Sequence, residues 1–262
     1  MIYFVGGGVG TADYLTVAAV RVLKKADIIL FSKYLDKSVV DAYAKKNIRV
    51  LCFSDMVRSH VDQIFLENSR RNVVYLANGD FACYGTVQDH FDFCKEHHLP
   101  FKVIPGVSGV GACAAVLANE FVLPNISNSL VITYAEASGN IMDKQTVTEW
   151  ARHGATLAIH MAAPDMYGSL REKLIAGGMD PKTPVVIVRE ALRPRESVVR
   201  TTVEGLGDIE DASWMSLVLV GNVFLDADVR QKFSGLPFTT EFRRAEYYNQ
   251  LRGWSGVSYG KN

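Results

Sequence analysis

The chain opens on a strand of the kind found in the middle of a parallel sheet. Ile2-Tyr3-Phe4-Val5, four apolar residues in a row, run directly into Gly6-Gly7-Gly8-Val9-Gly10. A continuous apolar run closed by glycines predicts a strand buried on both faces that feeds a loop. The stretch 17–25 that follows has a helical pattern. Gly6, Gly8 and Gly10 alternate, and residues without a Cβ reach positive φ and let a ligand lie against the backbone. A glycine turn between strand and helix suits a nucleotide-like ligand in an open α/β sheet. The dinucleotide fingerprint does not fit it. That pattern needs a third glycine three residues after the second and an acid ending the next strand. Thr11 or Asp13 stands where the third glycine belongs, and the next strand, Asp27-Ile28-Ile29-Leu30-Phe31, ends at Ser32.

Strands and helical stretches alternate through the first half. Strands are predicted at 28–31, 49–53, 73–77 and 101–104, with helices at 38–45, at 60–68 and around 91–96. This βαβ order predicts a largely parallel, buried sheet. Parallel sheets place ligands beyond the carboxyl ends of their strands. Three such ends carry glycine-rich loops: Gly6 to Gly10, then Asn78-Gly79-Asp80-Phe81-Ala82-Cys83-Tyr84-Gly85, then Pro105-Gly106-Val107-Ser108-Gly109-Val110-Gly111. Turn formation accounts for any one of them and poorly for three at one edge.

Beyond Pro124 the pattern changes. Strands at 129–134, 156–161, 184–188 and 216–220, with 197–203 as the antiparallel neighbour of 184–188, follow one another more closely and predict a mixed sheet. The expected organisation is an α/β lobe at 1–124, a second α/β lobe at 125–236 and an aromatic- and arginine-rich tail at 237–262. The tail either packs on a lobe or partner or is solvated.

With 262 residues, 48% hydrophobic content and zero formal net charge, the chain can bury a large core and shows no electrostatic footprint for nucleic acid. No apolar run reaches the roughly 18 residues of a membrane span. The chain starts at once with a strand, with no room for a secretion signal, so the expected location is cytoplasmic. Cys52, Cys83, Cys94 and Cys113 lack metal-site spacing and are expected to be free thiols. The six histidines form no helical pair around a glutamate, so no metal is expected.

Gly6-x-Gly8-x-Gly10 with Leu15-Thr16, then Ala26-Asp27-Ile28-Ile29, then Gly79-Asp80-x-x-x-Tyr84-Gly85, then Ile104-Pro105-Gly106-Val107-Ser108, in that order, resemble the tetrapyrrole (corrin/porphyrin) methylase family. The likeness runs over residues 2–224. Within the family, His153-Gly154-Ala155-Thr156-Leu157-Ala158-Ile159, Ala176-Gly177-Gly178, Thr183-Pro184-Val185 and Phe238-Thr239-Thr240-Glu241-Phe242-Arg243 are similar to the branch that methylates carbon 11 of precorrin-4 or cobalt-precorrin-4. The resemblance implies the two-lobed fold of the class III methyltransferases that use S-adenosyl-L-methionine (SAM). It has an N-terminal parallel-sheet lobe, a C-terminal mixed-sheet lobe and the cofactor between them. It also implies C-methylation of a tetrapyrrole in cobalamin biosynthesis, S-adenosyl-L-homocysteine (SAH) as coproduct, and a homodimer.

Carried over residue by residue, the resemblance implies cofactor contacts at Gly8, Val9, Gly79, Asp80, Cys83, Ser108, Gly109, Met161 and Ala191. Most of these would act through the backbone, which suits glycines and small residues. Met161 would cradle the sulfonium end or else belong to the core. Asp80 would meet the ribose or the amino group, or else shape its own turn. No catalytic residue is assigned. A polyanionic macrocycle calls for cations, for which Arg189, Arg193, Arg195 and Lys144 are the candidates, since arginine grips carboxylates bidentately. The chain departs from the family pattern at Val9 and Phe81, where the family has proline. It departs from the carbon-11 branch at Thr133-Tyr134, at Asn140-Ile141-Met142-Asp143-Lys144 and at Ala191-Leu192-Arg193-Pro194-Arg195-Glu196. The last three segments bear on the substrate, so the same cofactor chemistry on another, non-corrin acceptor stays open.

Overall fold

The computed structural model describes residues 1–83, 87–135, 145–210, 215–226 and 228–229. Tyr84, Gly85, the 140–144 segment with Lys144, and the 237–262 tail lie outside them. Two five-stranded sheets carry the fold. The first is built from β1 (Ile2–Gly6), β2 (Ile28–Phe31), β3 (Arg49–Cys52), β4 (Val73–Ala77) and β5 (Phe101–Ile104), in the order β3-β2-β4-β1-β5. Every pairing in it is parallel.

Alternation along these strands explains the layers, because successive side chains point to opposite faces. Val5, Ile29, Val74 and Leu76 meet Ala19 and Leu23 of α1 (Val17–Leu23) and Val39 and Val40 of α2 (Ser38–Tyr43). Phe4, Ile28, Leu30 and Tyr75 meet Val61, Ile64 and Phe65 of α3 (Arg58–Glu67) and Cys94 of α4 (Gln88–Glu96) on the other face. The helices after β1 and β2 thus cover one face, and those after β3 and β4 cover the other. β1 and β4 are neighbours whose chains leave to opposite faces, which is the crevice where open α/β sheets bind ligands.

The second sheet has β6 (Leu130–Tyr134), β7 (Thr156–His160), β8 (Pro184–Arg189), β9 (Ser197–Thr202) and β10 (Ser216–Val220), in the order β6-β7-β10-β8-β9. Only β6 and β7 pair in parallel; the other three pairings are antiparallel, including the expected hairpin of β8 with β9. Leu157, Ile159, Val185, Ile187, Val218 and Val220 pack on α6 (Val147–Ala151) and α7 (Tyr167–Ala176). Ala158, Val186, Val188, Leu217 and Leu219 turn the other way, onto Cys113 of α5 (Gly109–Leu117) and on to Phe121, Leu123 and Phe224. α5 follows the last strand of the first sheet in the chain and packs on the second sheet, so it carries the chain from one sheet to the other.

Candidate functional site: a cleft between the two sheets

Backbone builds the first wall. Gly7 N–H donates to Ala77 O at 2.6 Å, Gly8 N–H to Gly79 O at 3.1 Å and Gly79 N–H to Gly8 O at 2.6 Å. These bonds lock the loops after β1 and β4 into a short antiparallel bridge. Gly8 and Gly79 hold φ of +64° and +70° there, the left-handed region that glycine alone enters freely. The loop after β5 packs underneath. A Cβ on Gly6 would stand 2.5 Å from Gly106 N and 2.8 Å from Gly79 O, and a Cβ on Gly106 would run into Gly79 O. Three chain reversals therefore meet with no space for a side chain between them.

The next turn of chain enters α5, where the Ser108 hydroxyl accepts the Gly111 N–H at 3.1 Å as the N-cap. Across the gap, the second lobe contributes the end of β7, the β8–β9 turn, the start of β10 and the first turns of α7. Together these enclose a cleft of about 1120 Å³.

All nine residues expected to meet the cofactor line this cleft: Gly8, Val9, Gly79, Asp80, Cys83, Ser108, Gly109, Met161 and Ala191. Met161 is not core: it is 62% exposed, with φ of +57°. One Asp80 carboxylate oxygen accepts the Ala82 N–H at 2.8 Å, so Asp80 does shape its own turn while lining the cleft. Its charge reaches further. Burial first, and Asp80 second, push the Cys83 thiol up. Burial holds the His160 imidazole below its ordinary value, with Asp80 opposing that shift. Cys113, deeper in the wall, is pushed up to about 12 by burial, with Glu196 adding to it. Among the described residues no group of three or more His, Cys, Asp or Glu could hold a metal ion, and no helix is long and apolar enough to cross a membrane.

The expected cations are placed differently from one another. Arg193 lines the cleft. Arg189, at the end of β8, is buried at 5% exposure and does not line it. Arg195 is exposed on the β8–β9 turn, also off the lining. Residues not among the site candidates also face the cleft, one of them, Tyr134, in a segment already expected to bear on the substrate. Ser32 and Asn78 end β2 and β4 and are hydrogen-bonded to each other at 3.3 Å. Tyr134 and His160 end β6 and β7 in register. The rule that function follows strand ends, applied to the second sheet as it was to the first, would have found His160 as well.

The cleft presents bare backbone to whatever it holds. A Cβ built on Gly79 would meet nothing within 4 Å, and one on Gly109 only the His160 ring at 3.8 Å. Bare backbone thus faces open space at two of the expected contacts, offering amide and carbonyl groups that a side chain would have covered. The lining mixes those groups with Val9, Ala82, Val110, Ala163 and Leu217.

The fold is a two-lobed α/β architecture with a backbone-lined cleft at the glycine reversals, and the chain belongs to the tetrapyrrole (corrin/porphyrin) methylases, whose family model matches residues 1–207. Among its relatives is the cobalt-precorrin-4 C(11)-methyltransferase of Priestia megaterium, 29% identical over 93% of this chain and 97% of that one. The precorrin-4 C(11)-methyltransferase of Pseudomonas aeruginosa is also 29% identical, over 85% of this chain and 90% of its own length. A solved cobalt-precorrin-4 methyltransferase superposes with a TM-score of 0.80 at 27% identity, covering 86% of this chain and 96% of that chain. A uroporphyrin-III C-methyltransferase of Thermus thermophilus, solved with SAH, shares the fold at a TM-score of 0.71 and 24% identity, covering 85% and 92%.

Proposed function

We propose that the chain transfers a methyl group from SAM to carbon 11 of precorrin-4 or cobalt-precorrin-4, in cobalamin biosynthesis. The observation that carries this reading is the meeting of the three reversals at Gly6, Gly79 and Gly106 on the wall of a cleft between two sheets. The names of its relatives point to the acceptor.

Gly8, Val9, Gly79, Asp80, Cys83, Ser108 and Gly109 from the first lobe, with Met161 and Ala191 from the second, are the residues that would hold SAM. SAM brings an activated methyl on its own leaving group. The work left to the chain is to position the acceptor and keep water out. Met161, exposed on the cleft wall, offers a polarisable apolar surface for a sulfonium. His160 also lines the cleft, and burial holds its imidazole below the ordinary value, which makes it a weak proton acceptor, so no general base is assigned. The reading includes a cytoplasmic homodimer, whose subunit number sedimentation of the purified protein tests.

The test is incubation with methyl-labelled SAM and either precursor. Label should appear in the macrocycle with formation of SAH. Tight SAH binding with no label in either product would contradict the assignment of the acceptor. A second reading, the same transfer to a different acceptor, is favoured by the position of the cations: Arg189 and Arg195 do not line the cleft. Uroporphyrinogen III and non-corrin acceptors are therefore further arms of the same assay.

A further inference from the structure

Arg193 does something its place in the sequence does not suggest. It belongs to the second lobe, in the turn between β8 and β9, yet its side chain ends on the first. One guanidinium nitrogen, Nη2, donates to the backbone oxygen of Tyr34 at 2.8 Å, and Nη1 lies 2.7 Å from Met215 Sδ. Gly10 makes room for it. A Cβ on Gly10 would stand 2.5 Å from Nη2, 3.0 Å from Cζ and 3.1 Å from Nε, and Gly10 holds φ of +97°. The Gly10 carbonyl in turn accepts the Asp36 N–H at 3.1 Å, tying the glycine loop to the segment after β2. The Asp36 carboxyl is held below its usual range chiefly by hydrogen bonds from Ser38, with a smaller pull from Arg193.

The turn that carries Arg193 is held hard. Arg193 N–H donates to Glu190 O at 3.0 Å, Glu196 N–H to Arg193 O at 2.9 Å and Leu192 N–H to Glu196 Oε2 at 2.7 Å. Glu190 and Leu192 sit at φ of +43° and +60°. Side chains rarely adopt that region, and such strain persists only where the surroundings over-determine it. Two strained residues flank Ala191, which faces the cleft, and precede the arginine that crosses it.

We infer that Arg193 is a positioning residue: it clamps the β8–β9 turn, and Ala191 with it, onto the glycine loop and the Tyr34 backbone, and so sets the width of the cleft at its cofactor end. Two of its donors are engaged by the protein, so its main work is between lobes and not on substrate carboxylates. A planar fork reaching two acceptors in different lobes is a task for arginine that a lysine ammonium cannot copy. The inference rests on the reading that this end of the cleft holds SAM, and its test separates the two.

Calorimetry with SAH and steady-state kinetics on Arg193→Ala and Arg193→Lys read the role directly. Both variants should bind SAH at least about tenfold more weakly, with KM for SAM rising in step and kcat at saturation little changed. The lysine variant should recover only part of the loss. Unchanged SAH affinity with a raised KM for the tetrapyrrole would overturn the inference and restore a substrate-gripping arginine. Unchanged values throughout would overturn it as well. If the wild-type chain binds no SAH, the cofactor reading fails, and a thermal double-mutant cycle of Gly10→Ala with Arg193→Ala still decides the clamp. Alanine at position 10 should lower the melting temperature more in the wild-type background than in the Arg193→Ala background. Additive losses would overturn the inference. Should Gly10→Ala not fold, hydrogen exchange on Arg193→Gln reads the same contact: amides at 33–36 and 190–193 should gain exchange together, and protection unchanged at 33–36 would overturn it.

Discussion

At the scale of single residues the site is shaped by side chains that its glycines lack. Gly106 has its neighbours' backbone where a Cβ would go, so Gly106→Ala must push the loop after β5 away from the bridge of Gly8 with Gly79. Differential scanning fluorimetry should show a lower melting temperature and loss of the stabilisation that SAH gives the wild type. An undiminished SAH shift would mean that the reversals do not need to touch. His160 gives a pH prediction with a definite sign. Its folded value is depressed from 6.5 by burial, so as pH falls the unfolded chain takes up the proton first. Stability from this residue is whole above 6.5 and is lost as pH drops towards the depressed folded value. Urea melts above and below 6.5, at about pH 7.5 and about pH 5.5, should show a larger loss for the wild type than for His160→Asn. Equal losses would remove the buried imidazole from the account. The glycines were legible in the sequence because bare backbone is a chemical signature. The positive φ of Met161, Glu190 and Leu192 was not, since nothing in a methionine, a glutamate or a leucine announces it.

At the scale of elements, the strands of both sheets carry the pattern their burial demands. Val73 to Ala77 is buried at every position because helices cover both faces of β4, and the unbroken apolar run says so. β9, at the edge of the second sheet, has no buried residue and is legible only as the partner of β8. Helix starts follow side-chain caps. The Thr16, Ser108 and Thr146 hydroxyls each accept an amide of the first turn at 3.1 Å. Ser108 also lines the cleft, whereas Thr146 does not, so Thr146→Ala isolates the cap. It should cost about 1 kcal/mol in urea unfolding and leave SAH affinity unchanged. A change in affinity would mean that α6 communicates with the site. What sequence could not deliver at this scale is which cation meets the cleft. Arg189, Arg193 and Arg195 are close together in the chain, and the pleat and the β8–β9 turn send one inward, one across the gap and one to solvent. A turn with two non-glycine residues at positive φ redirects side chains in a way no periodicity records.

At the scale of the molecule, the two sheets line one cleft because α5 runs from the end of the first sheet onto the second, and because the backbones at Gly6, Gly8, Gly79 and Gly106 pack directly on one another. The nine residues expected to meet the cofactor come from five separate stretches of chain, around Gly8, Gly79, Ser108, Met161 and Ala191. They are brought to one surface by the order β3-β2-β4-β1-β5 and by α5. That gathering is the claim on which both the methyl transfer and the Arg193 clamp depend. Isothermal titration of the purified chain with SAH, with NAD as the control ligand, tests it most directly. SAH should fill one saturable site per chain, and NAD should give no heat. Absence of SAH binding, or an NAD site in its place, would contradict it.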